Sequence, residues 1–289
     1  MKERQLYFGL FRRPTCGISY REQKMSYKIR YSCLSHIGKR RSINQDNYYC
    51  DGEYLKDTAG QADSPVKGCL KEHGPHLFAV FDGMGGEECG EKASLIAAEC
   101  VSKYRIGPNP IEDLLGYCQD ANEEILRYAA DHSIASMGTT AAILVFGKKE
   151  IFLCNIGDSK VFRFDGESLE QISVDHYAAA YYYGRKPPLS QNLGIPASEF
   201  VLEPYLAKGY YHDGDIYLLC SDGLTDMVST EEICSILKGT SFENAADKML
   251  NRALEGGGKD NITILLCMVE KKKSLFSRLW RGTDDTADR

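Results

Sequence analysis

His76-Leu77-Phe78-Ala79-Val80-Phe81-Asp82-Gly83-Met84-Gly85-Gly86 is an apolar, aromatic run that stops at an aspartate and a glycine-rich turn. Its composition and length predict a buried strand from His76 to Phe81 whose end presents the Asp82 carboxylate. A single Asp-Gly pair is first of all a turn former. Here it is one of six short motifs in a fixed order, the others being Arg41-Ser42-Ile43-Asn44-Gln45-Asp46, Gly138-Thr139-Thr140, Gly157-Asp158-Ser159, Ser221-Asp222-Gly223-Leu224 and Asp260-Asn261. Several set a carboxylate beside a glycine or turn at the end of an apolar run, where aspartates distant in the chain can converge on a hard metal ion.

Outward from this strand, short strands are expected between Tyr27 and Leu55, followed by a loop through Pro75 rich in Gly, Asp, Lys and Pro. After it, Ala93, Ile96, Ala97, Cys100, Val101 and Tyr104 share one helical face, and Ile111, Leu114, Leu115, Cys118, Ala121 and Ile125 share another. Pro108 and Pro110 separate the two helices, as suits a proline in the first turn of the second. From Thr139 to Ile172 the punctuation at Gly147-Lys148-Lys149, Gly157-Asp158-Ser159 and Asp165-Gly166 predicts an antiparallel β-meander. Strands at Asp215–Cys220 and Ile262–Val269 bracket helices near Glu231–Leu237 and Phe242–Leu254. Antiparallel strands with paired helices between them argue for an α+β fold.

The termini read differently. Residues 1 to 25 are basic, contain Pro14 and Gly17 and show no helical or strand periodicity, so they read as a flexible appendage to a domain over 26–270. The tail over 271–289 is basic and spaces Leu275, Phe276, Leu279 and Trp280 on one helical face, which suits a packing arm or contact with a membrane surface.

Of the 289 residues, 43% are hydrophobic and 26% charged, which places the chain among globular proteins with one large core. The net charge of −6 gives no electrostatic footprint for nucleic acid. No apolar stretch approaches the length of a transmembrane segment. The eleven cysteines form no Cys-x-x-Cys pair and sit mostly among apolar neighbours, so they read as reduced residues of a cytoplasmic protein. The six histidines show no zinc-ligand spacing.

With these motifs in this order, from about Ser32 to Val269, the chain resembles the metal-dependent serine/threonine protein phosphatases called PPM or type 2C, particularly the bacterial members. The resemblance implies a four-layer α-β-β-α sandwich of two antiparallel sheets with a dinuclear metal centre at one end. It implies that Asp82 bridges two Mn²⁺ or Mg²⁺ ions, that the Gly83 carbonyl contacts one of them, and that Asp222 and Asp260 complete the site. Asp46 matches an acidic position acting through metal-bound water, Arg41 the arginine that binds substrate phosphate, and Asp158 a ligand of a weaker third ion. It further implies a monomer acting on phosphoserine and phosphothreonine proteins, opposing a bacterial serine/threonine kinase.

The chemistry suits the residue types. Carboxylates and a backbone carbonyl are hard oxygen donors that favour Mg²⁺ or Mn²⁺ over zinc, and a dinuclear centre can activate a bridging water against a phosphate dianion. Arginine presents a planar fork to phosphate. Two features depart from the family pattern: Met84 stands where some members have a proton-donating histidine, and the flap segment over 177–188 is short and tyrosine-rich. Two alternatives remain open at this point. One is a pseudophosphatase that binds phosphoproteins without turnover, although none of the four main aspartates is missing. The other is a phosphatase acting on a small phosphoester or a single regulatory phosphoprotein.

Overall fold

The computed structural model describes residues 8–11, 27–56, 65–71, 74–84, 89–178, 186–198 and 200–272. The opening run forms β5 (His76–Met84), and its alternation sets the layers. Leu77, Ala79 and Phe81 pack under helices, while Phe78 and Val80 face a second sheet. This is the two-residue period of a strand buried on both faces.

Sheet I runs in the order β1 (Phe8–Phe11), β11 (Tyr205–Tyr210), β8 (Glu150–Ile156), β7 (Ala141–Phe146), β5 and β3 (Asp46–Cys50), with β6 (Gly138–Thr139) also on β5. Sheet II runs β10 (Leu169–Gln171), β9 (Lys160–Phe164), β12 (Ile216–Cys220), β13 (Ile262–Lys271), β2 (Tyr27–His36) and β4 (Val66–Lys71). Helices α1 (Gly90–Lys103) and α2 (Pro110–Asp131) cover sheet I, whereas α3 (Asp222–Thr225), α4 (Thr230–Gly239) and α5 (Phe242–Glu255) cover sheet II. Three apolar layers result, one between the sheets and one under the helices on each side. The α-β-β-α sandwich expected from the sequence is therefore present.

Local chemistry explains the helix starts. Pro110 occupies the first turn of α2, where its missing N–H costs nothing. At α4 the Ser229 hydroxyl caps the helix by accepting from the Glu232 N–H at 3.2 Å.

Four details differ from the sequence expectations. Val66–Lys71 is an edge strand where a loop was expected, and β11 was not anticipated. The segment from Thr139 to Ile172 is not one meander, because β8 pairs with β7 and β11 while β9 pairs with β12 and β10. Gly157-Asp158-Ser159 thus crosses from one sheet to the other, and its shortness imitates a hairpin. Within the expected appendage, Phe8–Phe11 pairs in parallel with β11, so sheet I is not wholly antiparallel. The rest of the N-terminal segment, the expected tail beyond Lys272 and residues 179–185 of the flap lie outside the described residues.

Candidate metal centre

The inter-sheet layer changes character at one end. On β5 the residues facing sheet II run Phe78, Val80, then Asp82; on β3 they run Cys50, Tyr48, then Asp46. The ladder sets Asp46 directly opposite Asp82. From sheet II, β13 brings Val269, Cys267, Leu265 and then Thr263 to the same layer, with Asp260 just before the strand. The end of β12 supplies Ser221 and Asp222. Register alone therefore carries four aspartates from four strand ends to one edge of the sandwich.

Close backbone contacts hold the motifs together. The Gly83 N–H donates to the Gln45 carbonyl at 3.1 Å, and a Cβ at Gly83 would stand 2.1 Å from the Gly90 carbonyl oxygen. A Cβ at Gly223 would stand 2.0 Å from the Asn261 carbonyl oxygen. Asn261 stitches the first motif to the last: its Oδ1 accepts from the Gln45 N–H at 2.8 Å, and its Nδ2 donates to the Ile37 and Ile43 carbonyls, each at 3.0 Å. The Gly138-Thr139-Thr140 motif clamps the backbone of Asp82. The Asp82 N–H donates to the Thr140 hydroxyl at 3.0 Å, and the Asp82 carbonyl accepts from the Thr139 hydroxyl at 3.0 Å and the Thr140 N–H at 2.9 Å.

Asp82, Gly83, Asp158, Asp222, Asp260 and Arg41 line one cleft of about 580 Å³. Asp46 lies behind it, only 3% exposed. Its Oδ2 accepts from the Ser221 and Thr263 hydroxyls, each at 2.7 Å, and its Oδ1 is buried without a hydrogen-bond partner among the described residues. Burial pushes the Asp46 carboxyl up to about 7, helped by Asp222 and Asp260 and opposed by the two hydroxyls. Burial and then the Asp46 charge raise Asp82 well above the usual carboxylate range. A cluster of like charges with an unsatisfied buried oxygen calls for a cation.

Two side-chain cations answer it in part. Arg41 Nη2 donates to Asp260 Oδ2 at 2.7 Å, with the guanidinium half exposed. Lys186 Nζ pairs with Asp158 Oδ2 at 2.7 Å and also with Asp222 Oδ2. Burial works against the Lys186 ammonium, but Asp222 and Asp158 outweigh it and hold its pKa above the ordinary value. As the side chains stand, no three carboxylates among the described residues converge closely enough to hold one ion. The donor set itself fits Mg²⁺ or Mn²⁺, being all hard oxygen with no histidine or cysteine.

Asp158 sits at the crossing between sheets, which sets aside a plain hairpin turn as its role. The Tyr177 hydroxyl donates to Asp158 Oδ2 at 3.1 Å, and His176 Nδ1 accepts from the Gly157 N–H at 3.1 Å. Accepting at Nδ1 requires the unprotonated nitrogen, in keeping with the burial that lowers the His176 pKa. Met84 lines the cleft and has no proton to give.

Sequence reasoning assigned no role to Lys186, Tyr177, Ser221 or Thr263. Ser221 was in a quoted motif, and Thr263 lies one turn of the strand alternation before the apolar residues of β13. Nothing local marks Lys186.

The sequence matches the family Protein phosphatase 2C over residues 62–266, a span that includes Asp82, Asp158, Asp222 and Asp260 and leaves Arg41 and Asp46 upstream. The serine/threonine phosphatase stp of Listeria welshimeri is 31% identical over 212 residues, 66% of this chain and 83% of that protein. Protein phosphatase PhpP of Streptococcus pneumoniae is 27% identical over 263 residues, 83% of this chain and 98% of that one. The solved catalytic domain of the serine/threonine protein phosphatase PstP, in complex with two manganese ions, superposes with a TM-score of 0.67 at 28% identity, covering 84% of this chain and 99% of that one. Fold and relatives define a metal-dependent serine/threonine protein phosphatase of the bacterial type. The chain belongs to the Protein phosphatase 2C family.

Proposed function

We propose that this cleft removes phosphate from phosphoserine and phosphothreonine side chains of proteins, with Asp82, Asp222, Asp260 and the Gly83 carbonyl holding two Mn²⁺ or Mg²⁺ ions and Asp46 supporting them from behind. The observation that carries the reading is the delivery of Asp46 and Asp82 from sheet I and Asp222 and Asp260 from sheet II to one end of the sandwich. Two such ions, when bound, neutralise phosphoryl oxygens and acidify water towards neutral pH.

The chain's own residues do the rest. Arg41 binds the substrate phosphate: a guanidinium has five N–H donors, and the contact with Asp260 uses one. Ser221 and Thr263 fix the Asp46 carboxylate so that Oδ1 remains the oxygen free for the centre. Asp158 holds a weaker third ion, its turn kept in place by His176 and Tyr177. No histidine among the described residues lines the cleft, and Met84 has no proton to give, so neither protonates the departing serine or threonine oxygen.

A serine/threonine kinase would supply the phosphoproteins. The ten described cysteines, all free, support a reducing compartment such as the cytoplasm. No helix among the described residues is long and apolar enough to cross a membrane.

The test is phosphate release from a phosphothreonine peptide. Release should require Mn²⁺ or Mg²⁺, stop with chelator and exceed that from a small aryl phosphate. Peptide binding with no release in saturating Mn²⁺ would leave the pseudophosphatase reading instead, and preference for the small ester would assign a different substrate class.

A further inference from the structure

Lys186 is an exposed lysine, its side chain 38% accessible, yet its ammonium is engaged by carboxylates of the cleft. It is carried on the return arm of a narrow loop closed by a Tyr177–Leu189 bridge, by the Ala178 N–H donating to the Pro188 carbonyl at 2.9 Å, and by the Ser190 N–H donating to the His176 carbonyl at 2.9 Å. Pro187 and Pro188 follow directly, so the backbone at Lys186 is biased to an extended conformation and the arm is stiff. From this arm Nζ reaches Asp158 Oδ2 at 2.7 Å, Asp222 Oδ2, and Asp226 Oδ2 at 4.0 Å. The Tyr177 ring lies 6.0 Å from Nζ, and the Tyr177 hydroxyl shares Asp158 Oδ2.

We infer that Lys186 is an internal competitor of the divalent ions: its ammonium docks the loop onto Asp158 and Asp222 and must withdraw from Asp222 before that carboxylate can take a metal. The inference rests on the metal-ligand reading of Asp222 and Asp158 given above. Its geometry is simple. A Mg²⁺-sized ion needs its carboxylate oxygen at roughly 2.0–2.1 Å, and a lysine nitrogen hydrogen-bonded to the same Oδ2 occupies that approach. Two cations so close also repel each other through a partly desolvated medium. Binding of the ion that Asp222 holds therefore includes loss of the Lys186–Asp222 contact. The Lys186 side chain thus raises the metal concentration at which Asp222 takes its ion.

Calorimetric titration of Mn²⁺ into the full chain tests this directly. Lys186→Met should bind Mn²⁺ roughly tenfold to a hundredfold more tightly than wild type, in line with the loss of one or two charge-assisted hydrogen bonds. Lys186→Arg, which keeps a cation on the same arm, should stay near wild type. Lys259→Met controls for net charge, because Lys259 lies beside Asp260 and Asp226 without being placed in the centre; it should shift the affinity by less than about threefold.

In parallel, an amine-acetylating reagent followed by peptide mass spectrometry should modify Lys186 slowly without metal and faster with saturating Mn²⁺. Unchanged or weaker binding in Lys186→Met, or an equal gain in Lys259→Met, would overturn the inference while leaving the metal centre intact. Absence of Mn²⁺ binding by wild type would overturn both.

Discussion

Asp82 and Lys186 face the same cleft from opposite kinds of structure. Asp82 ends a strand buried on both faces, its backbone clamped by Thr139 and Thr140 and its neighbour Gly83 pressed against Gln45 and Gly90. Lys186 stands on a segment tied by one bridge and two backbone hydrogen bonds, and Pro187, Pro188 and Leu189 beside it also line the cleft. The floor of the site is therefore fixed by β-ladder register, which moves in whole residues. The wall is fixed by a few local bonds, the kind that open at low cost. The proposed metal ligands thus sit on the part held by ladder register, and their proposed competitor on the part held by local bonds.

That division orders the expected effects. The largest belongs to the floor: Asp82→Asn removes a charge the centre needs and should reduce phosphopeptide turnover by at least about a thousandfold, or roughly 4 kcal/mol. Its far-UV circular dichroism and melting temperature should stay near wild type, since relief of buried like charge offsets lost contacts. Near-native turnover would refute the assignment.

Gly223→Ala tests whether the floor is held by backbone contact. The new Cβ would meet the Asn261 carbonyl oxygen at 2.0 Å, so β12 and β13 must part where they carry Asp222 and Asp260. A stability loss of about 2–3 kcal/mol by denaturant titration is expected, together with weaker Mn²⁺ binding. Wild-type values for both would show the junction to be slack.

Arg41 is intermediate, a half-exposed side chain bonded to Asp260. Arg41→Ala should lower kcat/KM by roughly tenfold to a hundredfold, corresponding to one charge-assisted contact of about 1.5–3 kcal/mol. Arg40→Ala should change it little. Equal losses would mean diffuse charge, with no phosphate clamp at Arg41.

The smallest effect is on pH. Because burial raises Asp46 to about 7 in the metal-free protein, a proton and a metal ion compete for the centre. Mn²⁺ affinity should rise by about tenfold or more between pH 6 and pH 8, with net proton release on binding near pH 6. The sign follows from the raised value: the carboxyl is mostly protonated below 7 and must ionise to serve. Affinity that is flat or falls with pH would contradict it.

Much of the floor could be read from the sequence, because Asp82 and Asp222 each follow an apolar run and stand beside Gly, and because the order of the motifs, Asp46 and Asp260 included, resembles a known family. The sandwich came with that resemblance; the strand pattern alone supported only an α+β class. Ile151–Ile156, Gly157-Asp158-Ser159 and Lys160–Phe164 read as a hairpin because three residues suit a turn between paired strands and equally a crossing between facing sheets. Val66–Lys71 alternates regularly in burial, but Gly68, Cys69 and Leu70 break the apolar alternation of its sequence, and Phe8–Phe11 is paired with β11, far along the chain. The wall was illegible for a related reason. Lys186 lies 28 residues beyond Asp158 and 36 before Asp222, and only folding brings the three together.

The central claim is that strand-end aspartates from both sheets hold a pair of divalent ions. A crystal of the chain grown in MnCl₂, measured at the manganese absorption edge, tests it most directly. The account predicts two anomalous peaks roughly 3.5–4 Å apart, both touching Asp82, with Asp222 and Asp260 completing the shell and Lys186 Nζ withdrawn from Asp222. Peaks distant from Asp82, or Lys186 still bonded to Asp222 beside a fully occupied pair, would contradict it.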